Sequence, residues 1–433
     1  MTWKARTLYV LSCLVYRCVL DGLYVNSVQP VYSYMGITVE YIGHFENIIS
    51  YLVLGGMAFL ISKAKNPLLP SVFIINFIYL TTYIPVSLLY AWGGMNLLPY
   101  VYLSISLTAV IALMNRSHTV PSRFNSCVPE SSLMHILLCF SFVTFLILMV
   151  KYGFKMPTSL VDVYGDRADY MASLGEGRNP IAYILGWQGN VINIVLVAWG
   201  VTKRKYSAIA VGVIIQLMIF GVTGLKSLVY GLAFAIWILI ALRYARIYIL
   251  HYMSLSYVAA LLLASMIDSL LGVYFLSATL VYRLFIIPAQ LYYYYYDFIS
   301  KDLFTFFSQY GIFNIFLKYP YDAPLKYTIA DVYFDQPEMG ANANMWAEAY
   351  ASAGLIGMIL IGGIFVMLLR LINRISFGKN RYLAYAALAI PVFTLTNTSL
   401  FTTFTSHGLL VALMLLYMMP KKKEQSQKYL YSS

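Results

Sequence analysis

Apolar runs of about 20 residues recur from one end of the chain to the other, and they constrain its fold more than any other feature. A helix needs roughly 20 such residues to cross about 30 Å of hydrocarbon, where it satisfies its own backbone hydrogen bonds. Only 11% of the residues are charged, whereas about a quarter are in an ordinary soluble protein. The sequence therefore predicts an all-α, polytopic integral membrane protein that forms a single membrane domain.

The apolar runs predict about twelve transmembrane helices. Lys4 and Arg6 precede the first run as in a signal sequence, but Arg17 and Asp21 interrupt it and no small-residue cleavage site follows. We therefore expect this run to be retained, with Arg17 and Asp21 one helical turn apart and neutralising each other. The predicted spans are residues 8–25, 48–61, 68–92, 97–114, 133–150, 181–201, 207–222, 227–242, 254–275, 349–371, 382–396 and 405–419.

The distribution of charge predicts how the chain is oriented. With the N-terminus inside, the predicted cytoplasmic segments hold 19 of the 29 basic residues and 2 of the 17 acidic ones, which leaves 10 basic and 15 acidic residues elsewhere. This is the bias of the positive-inside rule, so both termini are expected in the cytoplasm. The net charge of +12 then reflects membrane orientation, and we predict no binding of nucleic acid.

Two long connections stand out on the predicted outer side. The first covers residues 151–180, and the larger covers residues 280–345, where 10 charged residues lie among aromatic side chains. Long loops in compact structures are usually functional or disordered, and the apolar content of the larger loop argues against disorder. Its residues 298–317 are predicted to form a helix in the membrane interface. Residues 420–433 are predicted to form a basic cytoplasmic tail.

The motifs of soluble enzymes are missing from the sequence. It has no phosphate-binding glycine loop, no HExxH and no serine elbow, and its four cysteines do not have the spacing of metal ligands. Chemistry driven by ATP or by a bound metal is therefore not expected. The polar groups of the predicted outer side are what remains.

Glu348 is the first candidate for a catalytic group. Asn342, Asn344 and Glu348 precede the segment SAGLIG, and Asn344 and Glu348 are one helical turn apart, so they share a face. A carboxylate at this position could accept a proton from a sugar hydroxyl. Alternatively, Asn344 caps the helix and Glu348 interacts favourably with its dipole; the two roles are compatible.

Four basic residues are candidates for binding phosphate. Arg283 lies just beyond a predicted span, where its guanidinium could bind phosphate in a bidentate way or extend to the interface. Arg167 and Arg178 could bind phosphate too, or could pair with acidic neighbours in their loop. Lys226, in the segment TGLKS between two short spans, is either functional or directed to the interface.

Two further polar residues have alternative roles. His407, in the hydroxyl-rich segment TNTSLFTTFTSHG, could act as a general base near neutral pH or form a hydrogen bond between packed helices. Asp268, in the outer half of its predicted span, could face a cavity or pair with a neighbouring hydroxyl. The sequence does not distinguish these alternatives.

The segment NANMWAEAYASAGLIG resembles the hallmark of bacterial oligosaccharide repeat-unit polymerases, the O-antigen polymerase or Wzy type. Two shorter segments are also similar to this family: YRLFIIP, with Arg283 and Pro288, and GLKS, with Lys226 and Ser227. The related O-antigen ligases carry a histidine near the start of the hallmark, where this chain has asparagine. The hallmark residues are Asn344, Trp346, Glu348, Gly354 and Gly357.

The resemblance implies a glycosyltransferase C-like membrane enzyme of the bacterial inner membrane that acts on its periplasmic face in the synthesis of O-antigen or a related surface polysaccharide, such as that of lipopolysaccharide. Such enzymes transfer the growing glycan from undecaprenyl pyrophosphate to a hydroxyl of the next lipid-linked repeat unit, without a metal or other cofactor. The implied partners are undecaprenyl-pyrophosphate-linked oligosaccharide, the lipid bilayer and a chain-length regulator.

The resemblance also distributes roles among the candidate residues. Cationic side chains would stabilise the leaving pyrophosphate, and a base would take the proton of the acceptor hydroxyl. Arg283 and Glu348 are implied as catalytic groups, with His407 as the alternative base. The implied substrate-binding residues are Arg283, Lys226, Arg167, Arg178, Asn344 and Asn342.

Two other functions compete with the polymerase. A lipid-linked oligosaccharide flippase also has about twelve spans, but evenly short loops and repeat symmetry are expected for it. An O-antigen ligase-like glycosyltransferase shares the fold and differs in its acceptor. The strongly asymmetric large loop favours the polymerase over the flippase.

Overall fold

The computed structural model describes residues 1–116, 128–156, 163–174, 179–310 and 313–421. The regular structure in these ranges is helical, apart from an isolated bridge between Glu40 and Gly93. Eleven helices of the described chain are long and apolar enough to cross a membrane, which confirms the prediction of an all-α, polytopic membrane protein. They are Trp3–Met35, His44–Ser62, Pro70–Trp92, Leu97–Arg116, Glu130–Tyr152, Pro180–Lys203, Tyr206–Thr223, Ser227–Tyr244, Ile249–Leu271, Phe275–Ser300 and Met345–Ser376.

The set of apolar helices differs from the predicted set at three places. The last two predicted spans form the shorter helices Arg381–Thr394 and Leu409–Met418. Helix Phe275–Ser300 was instead predicted to fall mostly in a loop, because Arg283, Asp297 and a run of tyrosines lower its apolar character. A tyrosine can lie in a buried helix when its hydroxyl forms a hydrogen bond. The Tyr292 hydroxyl, for example, donates to the Pro99 carbonyl at 2.8 Å.

The described chain forms two compact units. The first comprises the described residues within Met1–His118, Ala245–Arg370 and Leu395–Leu400. The second comprises those within Thr119–Tyr244, Leu371–Thr394 and Phe401–Ser433. The predicted basic tail lies outside the described residues from position 422 onward.

The first unit has one end where two connections meet, which we call the loop end and define as residues 32–43 and 91–99. The backbone N–H of Glu40 donates to the Trp92 carbonyl at 2.8 Å, and that of Ile42 donates to the Ala91 carbonyl at 3.0 Å. These bonds join the connection after helix Trp3–Met35 to the one before helix Leu97–Arg116.

Helix Phe275–Ser300 lies along the loop end. The hydroxyls of Tyr32 and Thr279 are 2.8 Å apart, the Gln290 amide donates to the Met35 carbonyl at 2.9 Å, and Tyr292 reaches Pro99 as described above. Contacts near its start and further along its length thus reach the same end of the unit. The helix contains a π turn at Tyr282–Ile286, followed by Pro288.

The helical stretch Met345–Ser376 is two helices that meet in a sharp reversal. Ala353 (φ −160°, ψ 35°) and Gly354 (φ 59°, ψ −145°) are not helical, and the Trp346 and Phe365 rings are 6.3 Å apart although 19 positions separate them. A straight helix would separate these residues by about 28 Å. Residues 345–352, the short arm, therefore fold back on residues 355–376, the long arm.

The helix predicted for residues 298–317 is not formed. The preceding helix ends at Ser300, and beyond it the described residues contain turns and one short 3-10 helix, Phe313–Ile315. The N–H groups of Thr305 and Phe306 donate to the carbonyls of Ala351 and Ser352, both at 2.9 Å. Tertiary hydrogen bonds to the end of the short arm thus replace those that a helix would have made.

Two polar groups of the first unit have structural roles. The Arg17 Nε lies 2.5 Å from the Asp21 Oδ1 and both residues are buried, which confirms the predicted ion pair. Asp268 accepts the N–H of Leu276 at 2.9 Å and the N–H and hydroxyl of Ser277 at 2.7 and 2.6 Å. It therefore pairs with a neighbouring hydroxyl and caps helix Phe275–Ser300.

The second unit packs its helices around a chain of buried amides. Gln188 donates to Asn193 and Ser141 at 2.5 and 2.8 Å, Asn193 donates to Gln216 at 2.7 Å, and Gln216 donates to the Leu228 carbonyl at 2.8 Å. The chain connects helices Glu130–Tyr152, Pro180–Lys203, Tyr206–Thr223 and Lys226–Tyr244. The segment TGLKS forms the predicted tight turn, with Gly224 at φ 63°. Helix Val163–Leu174 also belongs to this unit, helix Leu325–Phe334 belongs to the first unit, and the short helix Leu400–Thr405 begins at the last residue of the first unit.

Candidate functional site

Asn344 begins the short arm and caps it. Its side-chain oxygen accepts the N–H groups of Trp346 and Ala347, both at 3.1 Å, and its amide donates to the Pro288 carbonyl at 3.5 Å. The side chain is fully buried, so both ends of the amide are satisfied within the protein. The capping role considered for Asn344 is therefore confirmed, and Glu348 follows in the first turn of the same helix.

The Glu348 carboxylate is half-buried and accepts hydrogen bonds from two loop side chains, the Gln309 amide and the Tyr310 hydroxyl. Burial raises the pKa of Tyr310, with the nearby Glu348 charge adding to the effect, so the phenol stays protonated at neutral pH and remains a donor. The Gln309 amide also lies 3.1 Å from the Ser352 hydroxyl, on the next turn of the short arm. The carboxylate is thus held in place from its helix and from the loop above it.

A lysine and two more phenols surround this carboxylate. Lys326 acts on Glu348 through its charge, without a direct ion pair. Tyr295 and Tyr319 are also close enough to Glu348 to interact with its charge. The Lys326 carbonyl accepts the Ala341 N–H at 3.1 Å, which fixes helix Leu325–Phe334 beside the segment that leads into the short arm. The site therefore combines one carboxylate with one cation and several hydroxyls.

Two buried polar atoms, one at this site and one in the short arm, have no hydrogen-bond partner in the described part of the chain. They are the Gln309 side-chain oxygen and the Trp346 indole nitrogen. Buried polar atoms are nearly always paired, so the unpaired Gln309 oxygen, whose amide also bonds the Glu348 carboxylate, indicates an acceptor that a bound molecule or water would satisfy. A hydroxyl group can donate to such an acceptor.

The loop backbone is strained next to this site. Phe306 and Phe307 are consecutive non-glycine residues with φ of 47° and 63°, in the left-handed region that bulky side chains rarely occupy. Strain of this kind costs energy and persists where the surroundings impose it, which happens often at functional sites. Here the hydrogen bonds of Thr305 and Phe306 to the short arm impose it.

Arg283 lies in the same unit as Glu348 but does not contact it. Its side chain is exposed, and its guanidinium carbon is 6.0 Å from the centre of the Tyr282 ring, which stacks on Tyr32 at 4.0 Å. It is a little more than one helical turn before Pro288, the residue whose carbonyl meets Asn344. Arg283 is therefore available to a ligand at the loop end.

Asn342 is also exposed, and its side-chain amide donates a hydrogen bond to the Gly340 carbonyl at 3.4 Å.

The other predicted site residues belong to the second unit. Lys226 begins helix Lys226–Tyr244 and is half-buried, and His407 is half-buried between helices Leu400–Thr405 and Leu409–Met418. Arg167 is exposed on helix Val163–Leu174, where its neighbour Asp166 pairs with Lys155 at 2.6 Å. Arg178 lies outside the described residues. The structure thus joins Asn344 and Glu348, while the roles predicted for Lys226, His407 and Arg167 stay predictions.

Gln309, Tyr310 and Lys326 complete the Glu348 site and were not singled out in the sequence. Lys326 and Gln309 lie in the long loop, 22 and 39 positions before Glu348, and no local pattern connects them to it. Their proximity depends on the reversal at Ala353 and Gly354 and on the loop bonds to the short arm. The charged and amide residues within the aromatic loop were the available signal.

No protein family, curated protein or solved structure matches this chain.

Proposed function

We propose that this protein is a membrane glycosyltransferase that polymerises lipid-linked oligosaccharide repeat units. The observation that carries the proposal is the position of Glu348, a half-buried carboxylate held by Gln309 and Tyr310 beneath a long aromatic loop. The resemblance of the surrounding segment to O-antigen polymerases supports the same function. On this proposal the loop faces the periplasm of a bacterium, and the fold is glycosyltransferase C-like.

In the proposed reaction, Glu348 acts as the general base. The hydroxyl of the incoming repeat unit attacks the anomeric carbon of the growing glycan, and its proton passes to the Glu348 carboxylate. The bond from that carbon to the phosphate oxygen breaks, and the electron pair leaves with undecaprenyl pyrophosphate. The reaction needs no further reactant, because the pyrophosphate is already an activated leaving group.

Cationic side chains would stabilise the charge that develops on the pyrophosphate. Arg283 is exposed at the loop end and is the group of the first unit that we assign to this role. Lys326 is placed instead near Glu348, where its positive charge can interact with the carboxylate. The two cations thus have separate roles in the proposal.

The proposal is tested by deleting the gene and examining the surface polysaccharide. A polymerase deletion should leave one repeat unit on the lipid core, because ligation of a single unit needs no polymerisation. The purified protein should also convert isolated lipid-linked repeat units to longer glycans with release of undecaprenyl pyrophosphate. Unaltered polysaccharide length, or the absence of any repeat unit, would falsify the proposal; the second outcome would instead favour a flippase or a ligase.

A further inference from the structure

The second unit contains a cavity of about 230 Å³ that the proposed function does not use. It lies where helices Glu130–Tyr152 and Arg381–Thr394 begin, and both helix starts contribute to its wall. Its lining mixes charged, amide and apolar side chains: Glu130, Leu133, Met134, Lys203, Asn380, Leu383, Met419, Pro420 and Lys421. A cavity of this composition can hold a small polar group that carries an apolar portion.

The acidic residue of the cavity is already engaged by the protein. The Trp199 indole donates to Glu130 at 2.8 Å, and the Lys203 ammonium is 3.1 Å from the same carboxylate oxygen. Its charge is therefore balanced by Lys203. Lys421 adds a second positive charge to the wall.

A third lysine lies close to this wall. Lys379 is 8% exposed and donates to the carbonyls of Leu416 and Tyr417, at the end of the last described helix. Burial and the nearby charge of Lys421 lower the pKa of Lys379 to about 8. The charges of Lys379 and Lys421 thus repel each other, and a bound anion would offset this repulsion.

Two helix starts and two helix ends reach this wall. Asn380 caps helix Arg381–Thr394, with its side-chain oxygen accepting the Tyr382 N–H at 3.1 Å, and Glu130 occupies the first turn of the other helix. The N-terminal end of a helix carries a partial positive charge. The C-terminal ends of helices Pro180–Lys203 and Leu409–Met418 lie at the same wall and offset this charge. Among the described residues, the positive balance therefore comes from three lysines against one glutamate.

We propose that this cavity binds a phosphate ester, and that its physiological ligand is the headgroup of an anionic phospholipid. The two lysines of the wall, Lys203 and Lys421, recognise the phosphate, while the apolar side chains of the wall contact the first carbons of the lipid. Basic pockets among membrane helices are suited to lipid phosphates. A free phosphate would use the same lysines without the apolar lining. The proposal is independent of the polymerase function.

The test measures thermal unfolding of the purified full-length protein, with lipid removed, in a neutral detergent. Phosphatidylglycerol should raise the midpoint of the wild type in a saturable way, and diacylglycerol, which lacks phosphate, should not. Lys421→Gln should weaken the apparent affinity about tenfold, as expected for one charge-assisted contact. Lys421→Arg should retain it. Arg243→Gln, an exposed basic residue of the same unit outside the cavity, is the matched control.

The same measurement with inorganic phosphate distinguishes a lipid headgroup from a soluble phosphate as the ligand. If it binds as tightly as phosphatidylglycerol and with the same dependence on Lys421, the phosphate site stands and its ligand is soluble. If diacylglycerol stabilises the protein as well as phosphatidylglycerol, or if Lys421→Gln and Arg243→Gln behave alike, the proposal is wrong. Should Lys421→Gln fail to fold, Lys203→Gln provides the comparison at another lysine of the cavity wall.

Discussion

Gly357 on the long arm lies directly against the backbone of Ala349 on the short arm. A Cβ built on this glycine would be 2.1 Å from the Ala349 carbonyl oxygen, far inside van der Waals contact. Because the obstructing atom belongs to the backbone, a side-chain rotation cannot relieve the clash. The reversal that brings Glu348 under the loop thus depends on the absence of a side chain at position 357.

Gly357→Ala is therefore expected to separate the two arms and destabilise the protein by about 3 kcal/mol or more, in the range of mutations that force a backbone shift. Gly363→Ala is the matched control on the same helix, since a Cβ there would meet no atom within 4 Å. It should be neutral or stabilising by up to about 1 kcal/mol, because alanine favours helix. Thermal unfolding of both purified variants measures the difference, and equal midpoints would contradict the hairpin.

The apolar pattern predicted much of the fold because the bilayer constrains it strongly. Spans such as residues 97–114 need only a long uncharged run, and the ion pair of Arg17 with Asp21 follows from helical spacing. Helix Phe275–Ser300 was not predicted from the apolar pattern, because its tyrosine hydroxyls make the segment look polar. In the structure these hydroxyls are satisfied by partners distant in sequence. Tyr293, for example, donates to the Val86 carbonyl at 3.0 Å.

The site was predicted in part, for a related reason. Asn344 and Glu348 are one turn apart, so local spacing was enough to associate them. Gly354 and Gly357 were singled out by resemblance, and the structure gives them a physical role: one adopts a φ of 59° and the other permits close approach. Lys326 meets the site through tertiary contacts that no local pattern encodes.

Asn344→Ala should destabilise the protein by about 1 kcal/mol, up to about 2, because the N–H groups of Trp346 and Ala347 lose their acceptor. Asn344→Ser should recover part of this loss, since serine is also a good N-terminal cap. Thermal unfolding of the two variants shows which of them is more stable. If Asn344→Ser were no more stable than Asn344→Ala, the hydrogen bond from the Asn344 amide to the Pro288 carbonyl would be the more important contact.

Glu348→Gln should reduce the rate of glycan polymerisation by about 10²- to 10⁴-fold, the usual effect of removing a general base, while the protein still folds. Glutamine keeps the size and accepts a hydrogen bond from Tyr310 but cannot take up the proton. The measurement is the glycan length produced in a deletion strain that carries each variant, with membrane insertion checked by immunoblot.

Glu338→Gln is the matched control for this prediction. Glu338 lies in the same loop and is exposed, so its replacement should leave glycan length unchanged. Wild-type length with Glu348→Gln would remove Glu348 from the mechanism. Short glycans with both variants would indicate a general effect of loop charge instead of a base.

Asp21→Asn should destabilise the first unit by about 3 to 5 kcal/mol, because it leaves the buried Arg17 guanidinium without its countercharge. Arg17 is fully buried, and its other contacts, the Ser87 hydroxyl and the Tyr51 ring at 5.1 Å, carry no charge. The double variant Arg17→Met, Asp21→Leu should recover most of the loss. Thermal unfolding of the single and double variants tests this coupling.

The exposed pair Lys301 and Asp297 provides the comparison for the buried pair. Their side chains are 2.7 Å apart at a similar helical spacing, but both are in contact with solvent. Lys301→Gln should therefore cost less than about 1 kcal/mol. If the buried and the exposed variants lost the same stability, burial would not be what makes Arg17 depend on Asp21.

Lys379 should make the stability of the protein depend on pH. Burial, with the charge of Lys421 as the second cause, lowers the pKa of Lys379 from 10.5 to about 8 in the folded protein. Between these two values the unfolded chain binds the proton more readily than the folded protein does. The contribution of Lys379 to the free energy of unfolding therefore rises as pH increases from about 8 toward 10.5.

Lys379→Met removes this contribution, so the difference in thermal midpoint between wild type and variant should grow in favour of the wild type from pH 7.5 to pH 9.5. Lys205→Met, at an exposed position of the same unit, should follow the wild type in parallel across this range. A bound phosphate would favour the charged lysine and move the window to higher pH. Added phosphatidylglycerol should therefore reduce the pH dependence of the difference in thermal midpoint below pH 9. If this pH dependence did not change, Lys379 would not be part of the proposed lipid site.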